Sequence, residues 1–242
     1  MEDWKKRLYD SYVSTGQASQ KLPANNIKGS EYFKRVIKKH IPSDNTIAIA
    51  DLGCGHGTLL HNLKEMGYSN IIGIDTSKEQ ITLANELGIS EAKHLDIDVF
   101  LQEHRSFDVI FMMDILEHLS KQEVIKILDQ VNYALKDDAF IIIHVPNAEG
   151  LFGMRMRYGD FTHELAFTAR SIQQILRACN FHSIACYEDK PIIHNIKSFI
   201  RHVIWRVLTF PYRLLFIAET GNTKNILSQN MLVVARKKSF EL

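Results

Sequence analysis

Two carboxylates and an imidazole lie close together near the middle of the chain. Asp114, Glu117 and His118 are spaced i, i+3, i+4, so a single helical turn would present all three on one face. Oxygen and nitrogen ligands in this mixture suit Mg²⁺, Mn²⁺ or Co²⁺. His163 is a candidate fourth ligand. The pattern predicts a divalent metal site or, without a metal, a general base at His163 or His118, because an imidazole titrates near neutral pH.

A glycine-rich loop forms the second group of residues that could bind a ligand or take part in a reaction. Asp51-Leu52-Gly53-Cys54-Gly55-His56-Gly57 follows a short apolar run and precedes a helical pattern. Glycines there permit a tight turn and close approach of a ligand. Asp75 ends the next apolar run, where a carboxylate can accept hydrogen bonds from both hydroxyls of a ribose. An acid ahead of the glycines would repel a pyrophosphate but suits an amine-bearing ligand, which disfavours a dinucleotide-dependent dehydrogenase.

Strand-like and helix-like patterns alternate around these residues. Short apolar runs lie at 46–51, 70–75, 89–95, 107–112, 139–145, 181–187 and 231–236, and helical patterns at 56–66, 77–87, 120–135 and 168–179. Near-continuous apolar strands that alternate with helices predict a parallel sheet covered on both faces. Ligands of such sheets bind beyond the carboxyl ends of the strands, where both groups of functional residues fall.

Composition narrows the class of protein. The chain has 242 residues, 45% of them hydrophobic and 24% charged, which suits one domain with additions or two small ones. Lys and Arg total 29 against 28 Asp and Glu, a balance that disfavours a large nucleic-acid interface. Three scattered cysteines are too few for a disulfide scaffold or a four-cysteine zinc site. No signal peptide or spanning apolar run is recognisable, so we expect a cytoplasmic protein.

The motifs together resemble the class I S-adenosylmethionine-dependent methyltransferases over about residues 45 to 187. The glycine loop is similar to the first motif of that family, Ile74-Asp75 to the second, Leu95-Asp96-Ile97 to the acid that meets the adenine, and Phe107-Asp108-Val109-Ile110 to the fourth-strand motif. The resemblance implies a Rossmann-like α/β fold with a seven-stranded, mostly parallel sheet, a last antiparallel strand and helices on both faces. It also implies S-adenosylmethionine as cofactor, contacted by Asp51, Gly53, Cys54, Gly55, Asp75, Thr76, Asp96, Ile97 and Met112.

The acid-x-x-Glu-His run and the later histidine resemble the metal-holding pattern of small-RNA 2′-O-methyltransferases and ubiquinone-pathway O-methyltransferases. Asp114 stands where that pattern usually has a Glu. The resemblance implies that Asp114, Glu117, His118 and His163 hold the metal, with Glu117, His118 and His163 as the catalytic residues. Many methyltransferases carry Glu-His at this point only to shape the pocket or to contact the methionine moiety of the cofactor, and that alternative stays open.

Residues 146–164 are rich in polar side chains, as functional loops usually are. Guanidinium groups in this loop could pair with an anionic or sugar-like acceptor, or simply be solvated. With residues 12–17 and 218–221, the loop resembles methyltransferases of bacterial surface-polysaccharide (capsule and O-antigen) pathways. This resemblance implies a sugar hydroxyl or a phosphate or phosphoramidate group as acceptor, faced by Tyr12, Arg155, Tyr158 and Asp160. A quinone-pathway-like O-methyltransferase and a cofactor-binding scaffold without turnover remain alternatives.

We expect one domain over residues 1–242: an N-terminal lid arm (1–30), a cofactor-binding core (31–187), a helical cap insertion (188–229) and the final strand (230–238). Residues 195–217 place four cations among aromatic and aliphatic residues, and Pro211 is expected to break this stretch. The stretch could pack on the domain, form a dimer interface, or make peripheral contact with the inner membrane. The sequence leaves the oligomeric state open.

Overall fold

The computed structural model describes residues 3–9, 11, 14–16 and 27–238, so Tyr12 lies outside the described residues. The strands are β1 (Ile49–Leu52), β2 (Ile71–Asp75), β3 (Ala92–His94), β4 (Phe107–Met113), β5 (Leu135–Pro146), β6 (Phe181–Glu188) and β7 (Asn230–Lys237). They form one sheet in the order β3-β2-β1-β4-β5-β7-β6. Strand β7 runs antiparallel to β5 and β6, and the remaining neighbours pair in parallel. This arrangement confirms the predicted mostly parallel sheet with a last antiparallel strand.

Helices connect the strands and cover both faces of the sheet. They are α1 (Asp3–Tyr9), α2 (Ile27–His40), α3 (Thr58–Glu65), α4 (Lys78–Glu86), α5 (Ile97–Glu103), α6 (Lys121–Ala134), α7 (Gly153–Gly159), α8 (Ala169–Ala178) and α9 (Ile196–Thr220). A short 3-10 helix spans Leu116–His118. Helix α7 lies within the segment 146–164 that was expected to be a loop.

Side chains of the central strands point alternately to the two faces of the sheet, and each face has its own hydrophobic core. Ile110 and Met112 of β4 pack on one face of the sheet with α5, α6 and α8, and Val109 and Phe111 pack on the other face with α2, α3 and α4. All four residues of β1 are buried, as expected of a strand with helices on both sides. The cores fix the central strands, and the carboxyl ends of these strands carry the functional residues.

Side-chain caps begin the helices that follow the functional strands. The Ser77 side chain accepts a hydrogen bond from the Gln80 N–H (3.4 Å) and caps α4, whose predicted helical pattern begins at the same residue. Ser120 and Glu123 form a capping box at the start of α6. Both helices therefore begin close to the carboxyl edge of the sheet, and residues that precede the caps line the cavity there.

Helix α9 differs from expectation because Pro211 lies inside it. Proline removes one backbone N–H, but the helix has 25 residues and a capping box at Asn195 and Ser198. It ends at Gly221, whose φ of 69° is the left-handed conformation that favours glycine. In the part of the chain that is described, no helix combines the length and apolar character needed to cross a membrane.

Candidate active site at the carboxyl edge of the sheet

A cavity of about 810 Å³ opens at the carboxyl ends of β1, β2 and β4. Helices α1 and α7 contribute to its wall. Most of the predicted site residues line it: Asp51, Gly53, Cys54, Gly55, Asp75, Thr76, Asp96, Ile97, Asp114, Glu117, His118, Arg155, Asp160 and His163. Two groups separated by more than 50 residues in sequence, the glycine loop and the acid–histidine cluster, therefore share one cavity.

The glycine loop needs glycine at Gly53. Its φ of 75° lies in the left-handed region, and a Cβ atom there would overlap the Cδ1 atom of Ile115. The Gly53 and Cys54 N–H groups both donate to the carbonyl of Ile74, at 2.8 and 2.9 Å. The loop is thereby held against the end of β2, with its backbone exposed to the cavity.

Two carboxylates at this end of the cavity differ in their partners. Asp75 accepts from the Gly55 N–H (2.9 Å) through Oδ2 and from the Ser77 N–H (2.7 Å) through Oδ1. Asp51 is 2% exposed, and its Oδ1 has no hydrogen-bond partner among the described residues. Burial and the neighbouring Asp75 raise the pKa of Asp51 well above its ordinary value. A ligand group that donates a hydrogen bond or carries positive charge would satisfy Asp51.

Asp96 lies at the rim of the cavity. It is exposed, and its Oδ1 accepts from the Asp98 N–H (2.8 Å) as the N-cap of α5. Its other carboxylate oxygen is available to a ligand, because the cap uses only Oδ1. Ile97 follows as the first residue of α5 and adds an apolar surface beside it.

Two of the predicted contact residues do not line the cavity. Met112 is fully buried in the core, and the next residue, Met113, lines the cavity, because successive residues of a strand face opposite sides. Tyr158 is 72% exposed and lies outside the cavity wall, since α7 directs it to solvent, where it stacks with the Arg157 guanidinium 4.9 Å from its ring centre. Arg155, two residues earlier, does line the cavity.

Glu117, His118 and His163 converge, with one ligand atom from each lying within 4.8 Å of the others. Glu117 is fully buried, and neither carboxylate oxygen has a hydrogen-bond partner among the described residues. Burial, reinforced by Asp114, raises the pKa of Glu117 well above its ordinary value. A buried carboxylate without partners is costly, and a bound cation would remove that cost.

Hydrogen bonds orient both histidines of this cluster. The Thr162 hydroxyl donates to Asp160 Oδ1 (2.6 Å) and therefore accepts from His118 Nδ1 (2.8 Å). His163 Nδ1 donates to the carbonyl of Met156 (2.8 Å). In each ring the Nε2 lone pair is then available, as metal-binding histidines require. Burial and the adjacent His163 lower the pKa of His118 to about 4, so its ring is neutral at physiological pH.

Asp114 lies outside this converging group, contrary to the prediction of a shared helical face. Its φ of 56° is left-handed, and the helix that follows is a single 3-10 turn, so the i, i+3, i+4 geometry of an α-helix is absent. Its carboxylate instead bonds His144 Nδ1 at 2.6 Å. The second His144 nitrogen faces Asp189 Oδ2 at 3.4 Å. Burial opposes the charged ring, but the two carboxylates raise the pKa of His144 well above its ordinary value.

Helix α1 closes one side of the cavity through residues that the sequence did not single out. Lys5 is 7% exposed, donates to the carbonyl of His118 (2.9 Å) and forms an ion pair with Glu164. The Tyr9 ring lies 6.1 Å from the His118 ring, edge to face. The spacing i, i+4 places Lys5 and Tyr9 on one helical face, which is the signal that could have identified them.

Comparison with known proteins gives the wider context. A family model described as a methyltransferase domain matches residues 28–185. The cyclopropane-fatty-acyl-phospholipid synthase of Escherichia coli K12 is 24% identical over 143 residues, which cover 57% of this chain and 36% of that protein. The ubiquinone biosynthesis O-methyltransferase of Pelagibacter ubique is 29% identical over 136 residues, covering 45% of this chain and 56% of that protein. The chain thus spans only about a third to a half of these curated relatives. A crystal structure of a SAM-dependent methyltransferase from Archaeoglobus fulgidus shares the fold, with a TM-score of 0.63 and 20% identity over 86% of this chain and 94% of that one.

Proposed function

The chain belongs to the methyltransferase-domain family, and we propose that it is an S-adenosylmethionine-dependent methyltransferase that methylates an oxygen atom activated at the Glu117–His118–His163 cluster. The observation that carries the proposal is the buried carboxylate of Glu117, which has no partner among the described residues and faces two histidines. Such a cluster beside a cofactor site suits the removal of a proton from a hydroxyl.

The residues around the glycine loop fit the cofactor. Asp75 can accept ribose hydroxyls on the carboxylate lone pairs that its two backbone bonds leave free. The unsatisfied Oδ1 of Asp51 suits the amino group of the methionine moiety. Asp96 and Ile97 line the same cavity and would contact the adenine. When bound, S-adenosylmethionine supplies the methyl group on its sulfonium and leaves as S-adenosylhomocysteine.

The acid–histidine cluster fits a divalent cation. Glu117, His118 and His163 would hold it through one oxygen and two nitrogens, a ligand set suited to Mg²⁺, Mn²⁺ or Co²⁺. When bound, such a cation lowers the pKa of an acceptor hydroxyl and fixes its oxygen. Thr162 and the Met156 carbonyl hold the two rings in the tautomer that leaves Nε2 free. If no cation binds, the same Nε2 lone pairs are the bases that accept the hydroxyl proton.

Helix α1 would exclude water from this reaction. Lys5 and Tyr9 contact His118, and Lys5 also pairs with Glu164. The Trp4 ring packs edge to face on Phe161 at 5.9 Å. Covering the cavity from this side limits hydration of the acceptor oxygen and strengthens the electrostatic interactions inside. Helix α1 would thus act as part of the lid arm that the sequence predicts.

For the acceptor, we propose a sugar hydroxyl or a phosphate-type group of a bacterial surface polysaccharide. Its support is Arg155 in the cavity wall, a side chain suited to an anionic or hydroxyl-rich acceptor. Asp160 supports the site indirectly, because its Oδ1 already accepts from both the N–H (2.8 Å) and the hydroxyl (2.6 Å) of Thr162. A hydroxylated quinone-like acceptor is the second candidate, favoured by the similarity to the Pelagibacter O-methyltransferase.

Formation of S-adenosylhomocysteine tests both acceptors. Purified protein would be incubated with S-adenosylmethionine and Mn²⁺, and separately with nucleotide sugars, sugar phosphates and a catechol that stands for the quinone-type acceptor. The proposal expects product with one acceptor class, and loss of that product in Glu117→Gln and His163→Ala. Turnover on an amine acceptor that survives both substitutions would contradict oxygen transfer at this cluster.

A further inference from the structure

Helix α9 turns an apolar face away from the domain. Its buried or half-buried residues recur every three or four positions and so form one stripe: Ser198, His202, Trp205, Thr209, Arg213 and Phe216. The remaining positions are exposed. They include twelve large apolar or aromatic residues, each between 37% and 71% exposed: Ile196, Phe199, Ile200, Val203, Ile204, Val207, Leu208, Phe210, Tyr212, Leu214, Leu215 and Ile217. This is the reverse of the usual surface helix, whose apolar face packs on its own core.

Polar groups hold the inward stripe on the domain. Arg213 pairs with both carboxylate oxygens of Glu188 (2.7 and 2.8 Å) and also bonds Asn225 Oδ1 (2.7 Å). His202 bonds the carbonyl of Pro191 (3.0 Å). Nη2 of Arg213 donates to both Glu188 oxygens while Nη1 donates to Asn225, and charge-assisted bonds from both ends of a half-buried guanidinium fix its orientation well. The exposure of the apolar face is therefore set by specific anchors at the end of β6 and in the segment before β7.

Cations border the apolar face. Lys197 and Arg201, spaced i, i+4, lie along one side of the helix, and Arg206 lies along the other. All three are exposed, and no Asp or Glu occurs in the helix before Glu219. The exposed part of α9 before that residue therefore combines a wide apolar strip with cationic margins.

We propose that α9 docks this protein on a membrane surface that contains anionic lipids. The helix would lie in the plane of the interface, with its apolar strip among the upper acyl chains and its marginal cations at the level of the lipid phosphates. At 25 residues it is about 37 Å long, ample for an in-plane helix. Aromatic residues at Phe199, Phe210 and Tyr212 suit this boundary, which favours large side chains with apolar bodies.

Charge complementarity favours a membrane over a second copy of the chain. Two copies that pack these strips together would bring their cationic margins together, and α9 offers a single acid, Glu219, to offset three exposed cations. An anionic lipid surface neutralises all of the cations at once. The apolar area is also spread along the whole helix, as an interfacial helix requires.

Docking through α9 would bring the functional edge of the sheet towards the lipid. Glu188 lies before α9 and pairs with Met231 of β7. Asn230 lies after α9 and pairs with Pro146 at the end of β5. Both connections to α9 therefore lie at the carboxyl edge that carries the cavity, and Gln229 lines the cavity itself. An acceptor anchored in the bilayer would meet the protein on this side.

Flotation with lipid vesicles tests the proposal without cofactor, metal or acceptor. Vesicles of phosphatidylcholine alone would be compared with vesicles of about seven parts phosphatidylcholine to three parts phosphatidylglycerol. We expect the protein to float with the anionic vesicles and to be released in part by salt. The double substitution Ile200→Asp, Val207→Asp should weaken this binding about tenfold or more, because it removes two exposed aliphatic side chains from the strip that would insert into the lipid and adds charge.

A matched control and a charge variant sharpen the result. Ile125→Asp places the same substitution on α6, where Ile125 is 40% exposed, and should bind vesicles as the parent does. Lys197→Glu with Arg201→Glu should reduce binding to anionic vesicles more than binding to neutral ones. The proposal is overturned if the parent floats with neither vesicle, or if the Ile200, Val207 variant floats as well as the parent. A vesicle-free dimer that these two substitutions dissociate, with no flotation of the parent, would overturn it in favour of a second copy.

Discussion

Replacement of Asp75 by asparagine should separate cofactor binding from folding. Asparagine keeps the shape of the side chain but exchanges one carboxylate oxygen for an N–H donor. In the parent both oxygens accept backbone N–H groups, from Gly55 at 2.9 Å and Ser77 at 2.7 Å. One of these bonds becomes a donor–donor contact, which costs about 1–3 kcal/mol of folding stability. The melting temperature should fall by about 2–12 °C, since one kcal/mol corresponds to roughly 2–4 °C at this chain length.

Asp75→Asn should also weaken cofactor binding by more than its loss of folding stability accounts for. A hydrogen bond to a charged acceptor contributes about 1.5–3 kcal/mol, and asparagine weakens one ribose contact and removes another. The combined loss of about 3 kcal/mol corresponds to roughly a 100-fold rise in Kd for S-adenosylmethionine. Isothermal titration calorimetry below the melting temperature measures it directly. Asp137→Asn, an exposed residue distant from the cavity wall, is the matched control and should bind as the parent does. A folded Asp75→Asn variant with parental affinity would refute the ribose assignment.

Three further substitutions have expected outcomes. Asp51→Asn should raise stability by about 1 kcal/mol while weakening cofactor binding. Because the pKa of Asp51 is raised in the folded state, its carboxylate destabilises the fold increasingly as pH rises above the pKa of the unfolded state. The gain in melting temperature of Asp51→Asn should therefore grow from pH 4 to pH 7. A gain that shrinks over this range would contradict the reasoning. Gly53→Ala should lower the melting temperature much more than Gly88→Ala. Both glycines have positive φ, but only at position 53 would the added Cβ atom overlap Ile115. Equal losses would contradict that overlap. Arg213→Met should cost about 2–3 kcal/mol and speed hydrogen exchange in α9, because the Glu188 carboxylate would keep only the Leu227 N–H and Lys190 as partners among the described residues; the exposed Arg206→Met should change neither.

Much of the fold could be predicted because its signals are local. The apolar runs identify the seven strands, and Ser77 and Ser120 mark helix starts through short-range caps. The glycine loop also depends on neighbouring residues, since the turn after β1 needs positive φ at positions that only glycine adopts readily. The predicted break at Pro211 is wrong, because the loss of a single backbone hydrogen bond does not end a long helix that is anchored at Arg213.

The details of the site depend on backbone geometry and distant contacts. Asp114 leaves the expected cluster because its own backbone is left-handed, which the sequence does not indicate at an aspartate. Its partner His144 lies 30 residues away, and the further partner Asp189 another 45. The exchange of Met112 for Met113 reflects the side-chain parity of β4, which changes completely with a shift of one residue.

Binding of Mn²⁺ to chelator-treated protein tests the central claim most directly. Calorimetry or electron paramagnetic resonance should detect one saturable Mn²⁺ per chain at the Glu117–His118–His163 cluster. Glu117→Gln should abolish this binding, whereas Glu149→Gln, an exposed acid outside the cavity wall, should preserve it. Methyl transfer should be lost in EDTA and restored by Mn²⁺ or Mg²⁺. Absence of saturable Mn²⁺ binding, together with full turnover in EDTA, would contradict the metal assignment and leave the histidines as the bases.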